Sequence, residues 1–180
     1  MEVKMRKENY QIPHEVEFVF RENGEFVNRT AAELFDGKRV VLFSLPGAFT
    51  PTCSAYQLPG FDEKYDEFMA LGIDEIYCIS VNDGFVMNAW AMDQCIQNVK
   101  LIPDGNAYFT RSMGYLVSKS NLGFGDRSWR YAAIVNDRII EKIWVEEGMR
   151  DNADTDPYEV TTPENVLNYI RSAVLELELV

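Results

Sequence analysis

One cysteine of the chain lies in a local sequence that suits a reactive thiol. Cys53 ends the stretch 45–53, which reads Leu-Pro-Gly-Ala-Phe-Thr-Pro-Thr-Cys. Its prolines and glycine break regular structure, and residues 52–56 suit the start of a helix, so that Cys53 is expected where a helix begins. A helix N-terminus carries partial positive charge and unpaired N–H groups, which favour a thiolate over a thiol. Cys53 is therefore predicted to be a nucleophile or a redox centre, although most isolated cysteines are inert core residues.

The elements on either side of Cys53 predict an α/β fold. Residues 39–44 and 75–81 are apolar, β-branched runs typical of buried strands. Residues 14–28 alternate around Asn-Gly and predict an N-terminal β-hairpin, and residues 130–145 predict a second hairpin. A last helix is expected after Thr162, which precedes a proline suited to the first helical position. Strands alternating with helices, then a hairpin and a helix, indicate a mixed central sheet flanked by helices.

Three local expectations are more specific. The helix after Cys53 is expected to be interrupted by Pro-Gly at 59–60 and to resume over residues 61–71. Residues 114–125 are expected to form an irregular loop. The second hairpin is expected to turn at residues 136–137.

Composition narrows the class of protein. The chain has 180 residues and suits one domain over residues 1–180. Its formal net charge of −12 argues against nucleic acid and anionic membranes as partners. It has no apolar run long enough to span a membrane, and residues 1–10 are polar, so no secretory signal is expected. Three cysteines suit a reducing compartment, and a cytoplasmic location is predicted.

The single histidine limits the chemistry open to Cys53. His14 is the only histidine and is far from the cysteines in sequence. A zinc cluster and a cysteine–histidine hydrolase pair are therefore disfavoured, and no metal or cofactor is predicted. If Cys53 is activated, a helix dipole and arginine must do it.

Several separated motifs resemble one known family. The pattern Pro46-x-x-x-Thr50-x-x-Cys53 resembles the active-site signature of peroxiredoxins. The longer PGAFTPTCS, with LPGF shortly after it, is similar to the type II, or peroxiredoxin-five, subfamily. The resemblance continues through CISVND, FVMNAW, RSWRY and DPYEV and spans about residues 10–172. It implies a thioredoxin-like fold with an N-terminal extension, and a thiol-dependent peroxidase for hydrogen peroxide and small alkyl hydroperoxides.

The resemblance assigns roles around the thiol. Cys53 would attack the peroxide and become a sulfenic acid, with Thr50 and Arg130 as hydrogen-bond donors to the peroxide oxygens. Pro46 would keep water from the thiolate. Substrate would contact Gly47 and an apolar lining supplied by Phe49. For Arg127, a structural role or a contact with the reductant is expected instead.

The thiol that resolves the sulfenic acid is less evident. Cys78 lies on a predicted strand and suits a buried residue, yet plant-like relatives can use a cysteine at this place as the resolver. Cys95 matches no role of the family. A one-cysteine cycle is therefore predicted, with glutathione or glutaredoxin as a separate reductant. The family usually has histidine where this chain has Gln57, which bears on docking of the reductant.

Two matters stay open at this point. A redox sensor or interaction module, oxidised at Cys53 without sustained turnover, is the alternative to a peroxidase. The resemblance also implies a homodimer formed by loops around the active site, with Phe49 and Phe85 as candidate contacts. Neither a sensor nor a dimer follows from the residues alone.

Overall fold

A five-stranded mixed sheet lies at the centre of the computed structural model, which describes residues 3–180. The strands are β1 (Glu17–Glu22), β2 (Glu25–Thr30), β3 (Arg39–Ser44), β4 (Glu75–Ser80), β5 (Lys100–Pro103), β6 (Leu116–Ser118), β7 (Asp126–Ser128), β8 (Tyr131–Asn136) and β9 (Ile139–Val145). The central sheet has the order β5-β4-β3-β8-β9. Strands β3, β4 and β5 are parallel, whereas β8 is antiparallel to both β3 and β9. The predicted α/β fold with a mixed sheet is confirmed.

Helices connect and cover these strands. They are α1 (Ala31–Phe35), α2 (Leu58–Glu63), α3 (Tyr65–Ala70), α4 (Gly84–Asp93), α5 (Tyr108–Met113) and α6 (Pro163–Glu178). A π-helical turn, Cys53–Gln57, runs directly into α2 and is called the π segment below. Thr162 caps α6 by accepting a hydrogen bond from the backbone of Asn165, as the sequence predicts.

Strand β3 connects the two halves of the hydrophobic core. Its alternate residues point to opposite faces of the sheet. Val40 and Leu42 belong to one cluster of buried side chains, and Val41 and Phe43 belong to another that also contains Cys53. Because β3 is central and buried on both faces, the loop that leaves it starts from a well-packed position.

The N-terminal hairpin forms as the sequence predicts. Glu22 pairs with Glu25, so the turn consists of Asn23 and Gly24 alone. Both turn residues have positive φ, 49° and 80°, the combination that a type I′ turn requires. The hairpin leads into α1 through a capping box between Thr30 and Glu33.

The helix after Cys53 differs from the expectation. Pro59 and Gly60 do not interrupt it, because both lie within α2. Proline is tolerated there because Pro59 comes just after the π segment, where Leu58 donates to the Cys53 carbonyl and the hydrogen-bonding register changes. The break comes later, at Lys64, whose φ of −95° and ψ of 10° separate α2 from α3.

Two further local predictions are wrong. Residues 114–125 are not an irregular loop, since they contain β6, which pairs with β7, and the 3₁₀ turn Ser120–Leu122. Strands of three residues are too short to show a period of two in the sequence. The second hairpin turns at Asp137 and Arg138, because Asn136 already pairs with Ile139.

No helix within residues 3–180 is both long enough and apolar enough to cross a membrane. Residues 1 and 2, which begin the predicted domain and the polar N-terminal stretch, lie outside the described residues.

Candidate active site

Cys53 lies in the first turn of a helix, as the sequence predicts. Pro51 and Thr52 are already helical, and Ser54 donates its N–H to the Thr50 carbonyl at 3.0 Å. The helix therefore starts at Pro51, whose missing N–H has no cost at a first helical position. Backbone N–H groups of this turn have no partner within the helix, so they are available to an anion beside the sulfur.

Arg130 is the cation that faces this sulfur. Its side chain is 1% exposed, and Nη1 lies 3.5 Å from Cys53 Sγ. The same Nη1 also donates to Gln57 Oε1. Nη2 donates to Asp156 Oδ1 at 2.6 Å, and Nε donates to the Pro157 carbonyl at 3.1 Å. The guanidinium thus has three oxygen acceptors, and its Nη1 also contacts the thiol sulfur.

Electrostatics keep this guanidinium charged. Burial alone lowers the pKa of Arg130, but the neighbouring Cys53 sulfur and the Asp156 carboxylate raise it by more, so the net direction is upward. A planar, delocalised cation is suited to several directed hydrogen bonds in a buried place. Arg130 therefore presents a permanent positive charge to the sulfur.

Gln57 lies in the hydrogen-bond network of Arg130. It is fully buried and joins Arg130 to Thr161, donating from Nε2 to the Thr161 carbonyl at 3.3 Å and to its hydroxyl at 3.4 Å. Cys53 and Gln57 are four positions apart, within one turn of the π segment, and so lie on the same side. Gln57 is thus part of the buried network around Arg130, and its bearing on docking of the reductant stays a prediction.

A buried carboxylate organises the loop that carries Asp156 and Thr161. Glu146 is 3% exposed, and its Oε1 accepts from the backbone N–H groups of Glu159, Val160 and Thr161 at 2.8–3.0 Å. The Thr161 hydroxyl also donates to it, at 2.9 Å. This carboxylate therefore positions the loop, which in turn positions Arg130.

The loop before Cys53 is held by Arg127. Its Nη1 donates to the Pro46 carbonyl at 3.2 Å and its Nε to the Phe124 carbonyl at 3.1 Å. A side chain at Gly47 would place its Cβ 2.2 Å from Arg127 Nη1, so the end of the Arg127 side chain would have to move away from the Pro46 carbonyl. Burial lowers the pKa of Arg127, an effect that Cys53 opposes. These contacts are those of the structural role predicted for Arg127.

The hydroxyl proton of Thr50 is used in a hydrogen bond within the loop before Cys53. Its hydroxyl donates to the Gly47 carbonyl at 2.7 Å, which leaves the oxygen as an acceptor. The sequence predicted a donor at this position. In this arrangement Thr50 instead offers lone pairs to a molecule that carries its own O–H.

Asn82 was missed by the sequence analysis as a contributor to this loop. Its Oδ1 accepts from the Ala48 N–H at 3.0 Å and from the Ser80 hydroxyl at 2.5 Å. Phe49, which follows Ala48 in the chain, adopts a positive φ of 62°. Asn82 follows β4, so the only available signal was a polar residue at the carboxyl end of a parallel strand, next to the loop after β3.

A cavity of about 330 Å³ borders the thiol segment. Its wall includes Pro46, Thr50, Thr52, Lys119, Leu122, Phe124 and Asp156. Cys53 is fully buried and is not part of that wall, so a molecule in the cavity is separated from the sulfur by the flanking residues.

Phe49 is not part of the wall of this cavity, and its role as an apolar lining for substrate stays a prediction. Phe49 is 53% exposed, and its backbone is in the left-handed region. Leu122 and Phe124, from a stretch predicted to be an irregular loop, supply apolar surface instead.

The other two cysteines differ sharply in exposure. Cys78 is fully buried in the middle of β4, paired with Phe43 of β3. Burial raises the pKa of the Cys78 thiol well above its usual value, and Cys53 adds to this effect while Arg130 opposes it. Cys95 is exposed, and all three cysteines are free. Within residues 3–180 no group of three or more His, Cys, Asp or Glu side chains is placed to hold a metal ion.

Comparisons with known proteins point in one direction. The family model described as Redoxin matches residues 12–158. A peroxiredoxin of Sinorhizobium fredii is 59% identical over 144 residues, covering 80% of this chain and 77% of that protein. The hybrid peroxiredoxin hyPrx5 of Haemophilus influenzae is 46% identical over 163 residues, covering 91% and 66%. A solved antioxidant protein of Plasmodium falciparum, described as a 1-Cys peroxiredoxin, has a TM-score of 0.88 and 42% identity, with 93% and 99% covered.

Glu146→Ala is expected to lower the free energy of unfolding by about 2–4 kcal/mol, because it leaves three backbone N–H groups and a hydroxyl without their acceptor. Urea unfolding followed by circular dichroism measures this change. Glu147→Ala is the matched control, since Glu147 is exposed and its removal is expected to cost less than about 0.5 kcal/mol. Equal stability of the two variants would show that Glu146 does not organise the loop.

Proposed function

Because the chain belongs to the redoxin family and is a peroxiredoxin, a thiol peroxidase, we propose that Cys53 is the nucleophile that reduces hydroperoxides. The prediction of this family from the sequence motifs is confirmed. The substrates proposed are hydrogen peroxide and small alkyl hydroperoxides. The observation that carries this assignment is the buried Arg130 guanidinium with Nη1 3.5 Å from Cys53 Sγ.

The chemical step uses the groups that converge on the sulfur. The Cys53 thiolate attacks the terminal oxygen of the hydroperoxide, an S–O bond forms and the O–O bond breaks. Both bonding electrons leave with the other oxygen, which takes up a proton and departs as water or alcohol, so Cys53 becomes a sulfenic acid. Arg130 stabilises the negative charge that develops on the departing oxygen, and such a buried, preorganised donor acts strongly.

Thr50 and the loop around Pro46 orient the peroxide in this proposal. The Thr50 oxygen accepts the hydrogen bond of the peroxide O–H, since its own proton is donated to Gly47. Pro46 is buried beside the cavity and excludes water from the thiolate. Peroxide enters from the cavity when the residues between cavity and sulfur move apart, because Cys53 is fully buried in the structure described.

We propose that the thiol that attacks the Cys53 sulfenic acid comes from a separate molecule and not from Cys78. Attack on sulfur requires a thiolate, and burial in β4 holds Cys78 in the thiol form. Glutathione condenses with the sulfenic acid to give a mixed disulfide and water. A second thiol, from glutathione or glutaredoxin, then restores the Cys53 thiolate. Similarity to a protein described as 1-Cys and to a hybrid peroxiredoxin supports this cycle.

Assembly and location are also proposals. Phe49 and Phe85 are 53% and 57% exposed, and two exposed aromatic side chains suit the predicted homodimer contact. Three free cysteines suit a reducing compartment such as the cytoplasm.

One equivalent of hydrogen peroxide is expected to add one oxygen at Cys53 in both the wild type and Cys78→Ser, because Cys78 does not resolve. Intact-mass spectrometry measures this, and added glutathione is expected to convert the oxidised form into a mixed disulfide. A loss of two mass units in the wild type that is absent in Cys78→Ser would establish an internal disulfide and contradict the one-cysteine cycle.

Sustained consumption of hydrogen peroxide is expected when glutathione, glutaredoxin and an NADPH-coupled reductase are supplied together. Cys53→Ser is expected to abolish consumption, and Cys95→Ser is the matched control that keeps it, since Cys95 is exposed and outside the site. NADPH absorbance measures the rate. A single stoichiometric burst from the wild type would contradict this reductant and favour a peroxide sensor.

A further inference from the structure

Lys119 is a nearly buried lysine without a partner for its charge. It is 3% exposed, the same burial as Glu146. Its side chain lies over the Trp129 ring, with Nζ 5.6 Å from the ring centroid. Among residues 3–180, no carboxylate lies within ion-pair distance of its ammonium, and no acceptor takes a hydrogen bond from it. The stem of this lysine is buried, whereas its ammonium keeps some accessible surface and meets no protein acceptor among the described residues. It therefore suits a ligand that supplies an acceptor from the cavity.

Lys119 is part of the wall of the 330 Å³ cavity beside the thiol segment. The two acidic residues of that wall already have partners: Asp156 accepts from Arg130 and Asp154 accepts from Arg150. Leu122, Phe124 and other apolar residues line much of the remainder. The cavity therefore combines apolar surface with one cation that no protein group neutralises.

Charge and size indicate the kind of ligand. A single lysine balances one negative charge, and the nearby carboxylates of Asp154 and Asp156 disfavour a dianion such as phosphate. A cavity of about 330 Å³ is at the small end of the usual range for ligand pockets. A small, partly apolar monocarboxylate fits these constraints.

We propose that Lys119 forms a carboxylate subsite that holds a reactant of Cys53. The cavity wall also contains Thr50 and Thr52, so a carboxylate bound at Lys119 leaves the rest of the molecule beside the thiol segment. This inference rests on the proposed role of Cys53. The carboxylate can belong to an organic hydroperoxide or to the thiol that reduces the sulfenic acid, and the two sources share the same chemistry.

Lys119→Met tests the subsite because it removes the charge and keeps an unbranched apolar stem over Trp129. In the first arm, rapid quench and intact mass give the rates of Cys53 oxidation by cumene hydroperoxide and by its ring-carboxylated analogue. In the second arm, the oxidised protein reacts with the monocarboxylate thiol 3-mercaptopropionate and with its methyl ester. In each arm, the rate constant with the carboxylate reagent is divided by the rate constant with the uncharged reagent. This ratio cancels any general effect of the substitution on the reactivity of Cys53.

Loss of the charge is expected to lower this ratio about tenfold in at least one arm, the size of one charge-assisted hydrogen bond. A fall in the first arm assigns the carboxylate to the hydroperoxide, and a fall in the second assigns it to the reductant. Lys142→Met is the matched control, because Lys142 also lies over a tryptophan, with Nζ 5.9 Å from the Trp144 centroid, but is 37% exposed on β9. Its ratios are expected to equal those of the wild type.

Unchanged ratios in both arms for Lys119→Met would overturn the subsite. Should that variant fail to fold, Lys119→Gln gives the same comparison, and Lys119→Arg is expected to retain the carboxylate preference. Absence of Cys53 oxidation by hydrogen peroxide in the wild type would instead overturn the proposed function, so the two failures are distinguishable.

Discussion

The contact between the Arg130 guanidinium and the Cys53 sulfur is the interaction on which the rest of the site depends. A buried cation is tolerated only when its hydrogen bonds are satisfied, and Arg130 meets this condition through Gln57, Asp156 and the Pro157 carbonyl. Those partners come from the π segment and from a distant loop. The sulfur therefore faces a positive charge whose position is determined by the fold as a whole.

Two loops that are fixed by hydrogen bonds form the surroundings of Cys53 and Arg130. The central strand β3 leads into the loop before Cys53, and Arg127 and Asn82 hold that loop from outside. The buried Glu146 carboxylate gathers the backbone of the loop that supplies Asp156 and, through Thr161, orients Gln57. A chain with a net charge of −12 thus places one buried guanidinium, that of Arg130, against a single sulfur. Long-range attraction of anions by the whole protein is unfavourable, so charge recognition has to be local.

The parts of this arrangement that the sequence predicts are the local ones. Strand β3, the Asn23-Gly24 turn and the Thr30 capping box follow from patterns within a few residues, and all three form. The break around Pro59 was placed wrongly, because a π-to-α transition shifts the first turn of α2 and makes proline acceptable there. Short paired strands such as β6 and β7 carry too few residues to reveal a period.

Contacts between distant residues explain what the sequence did not reveal about the site. Gln57 and Thr161 are 104 positions apart, and Arg130 and Cys53 are 77 positions apart. Arg130 was named through resemblance to a family, whereas no pattern marks the roles of Glu146, Asp156 or Gln57. A buried polar residue looks like a surface residue in a sequence until its partner is known.

The most direct measurement is the rate constant for oxidation of Cys53 by hydrogen peroxide in Arg130→Met, Arg130→Lys and the wild type, followed by rapid quench and intact mass. A fall of about 10²–10³-fold is expected for Arg130→Met, because one preorganised donor beside the reacting oxygen is lost, and lysine is expected to restore the rate only in part. Arg171→Met, at an exposed ion pair on α6, is the control with wild-type rates. A rate for folded Arg130→Met within about threefold of the wild type would contradict the account.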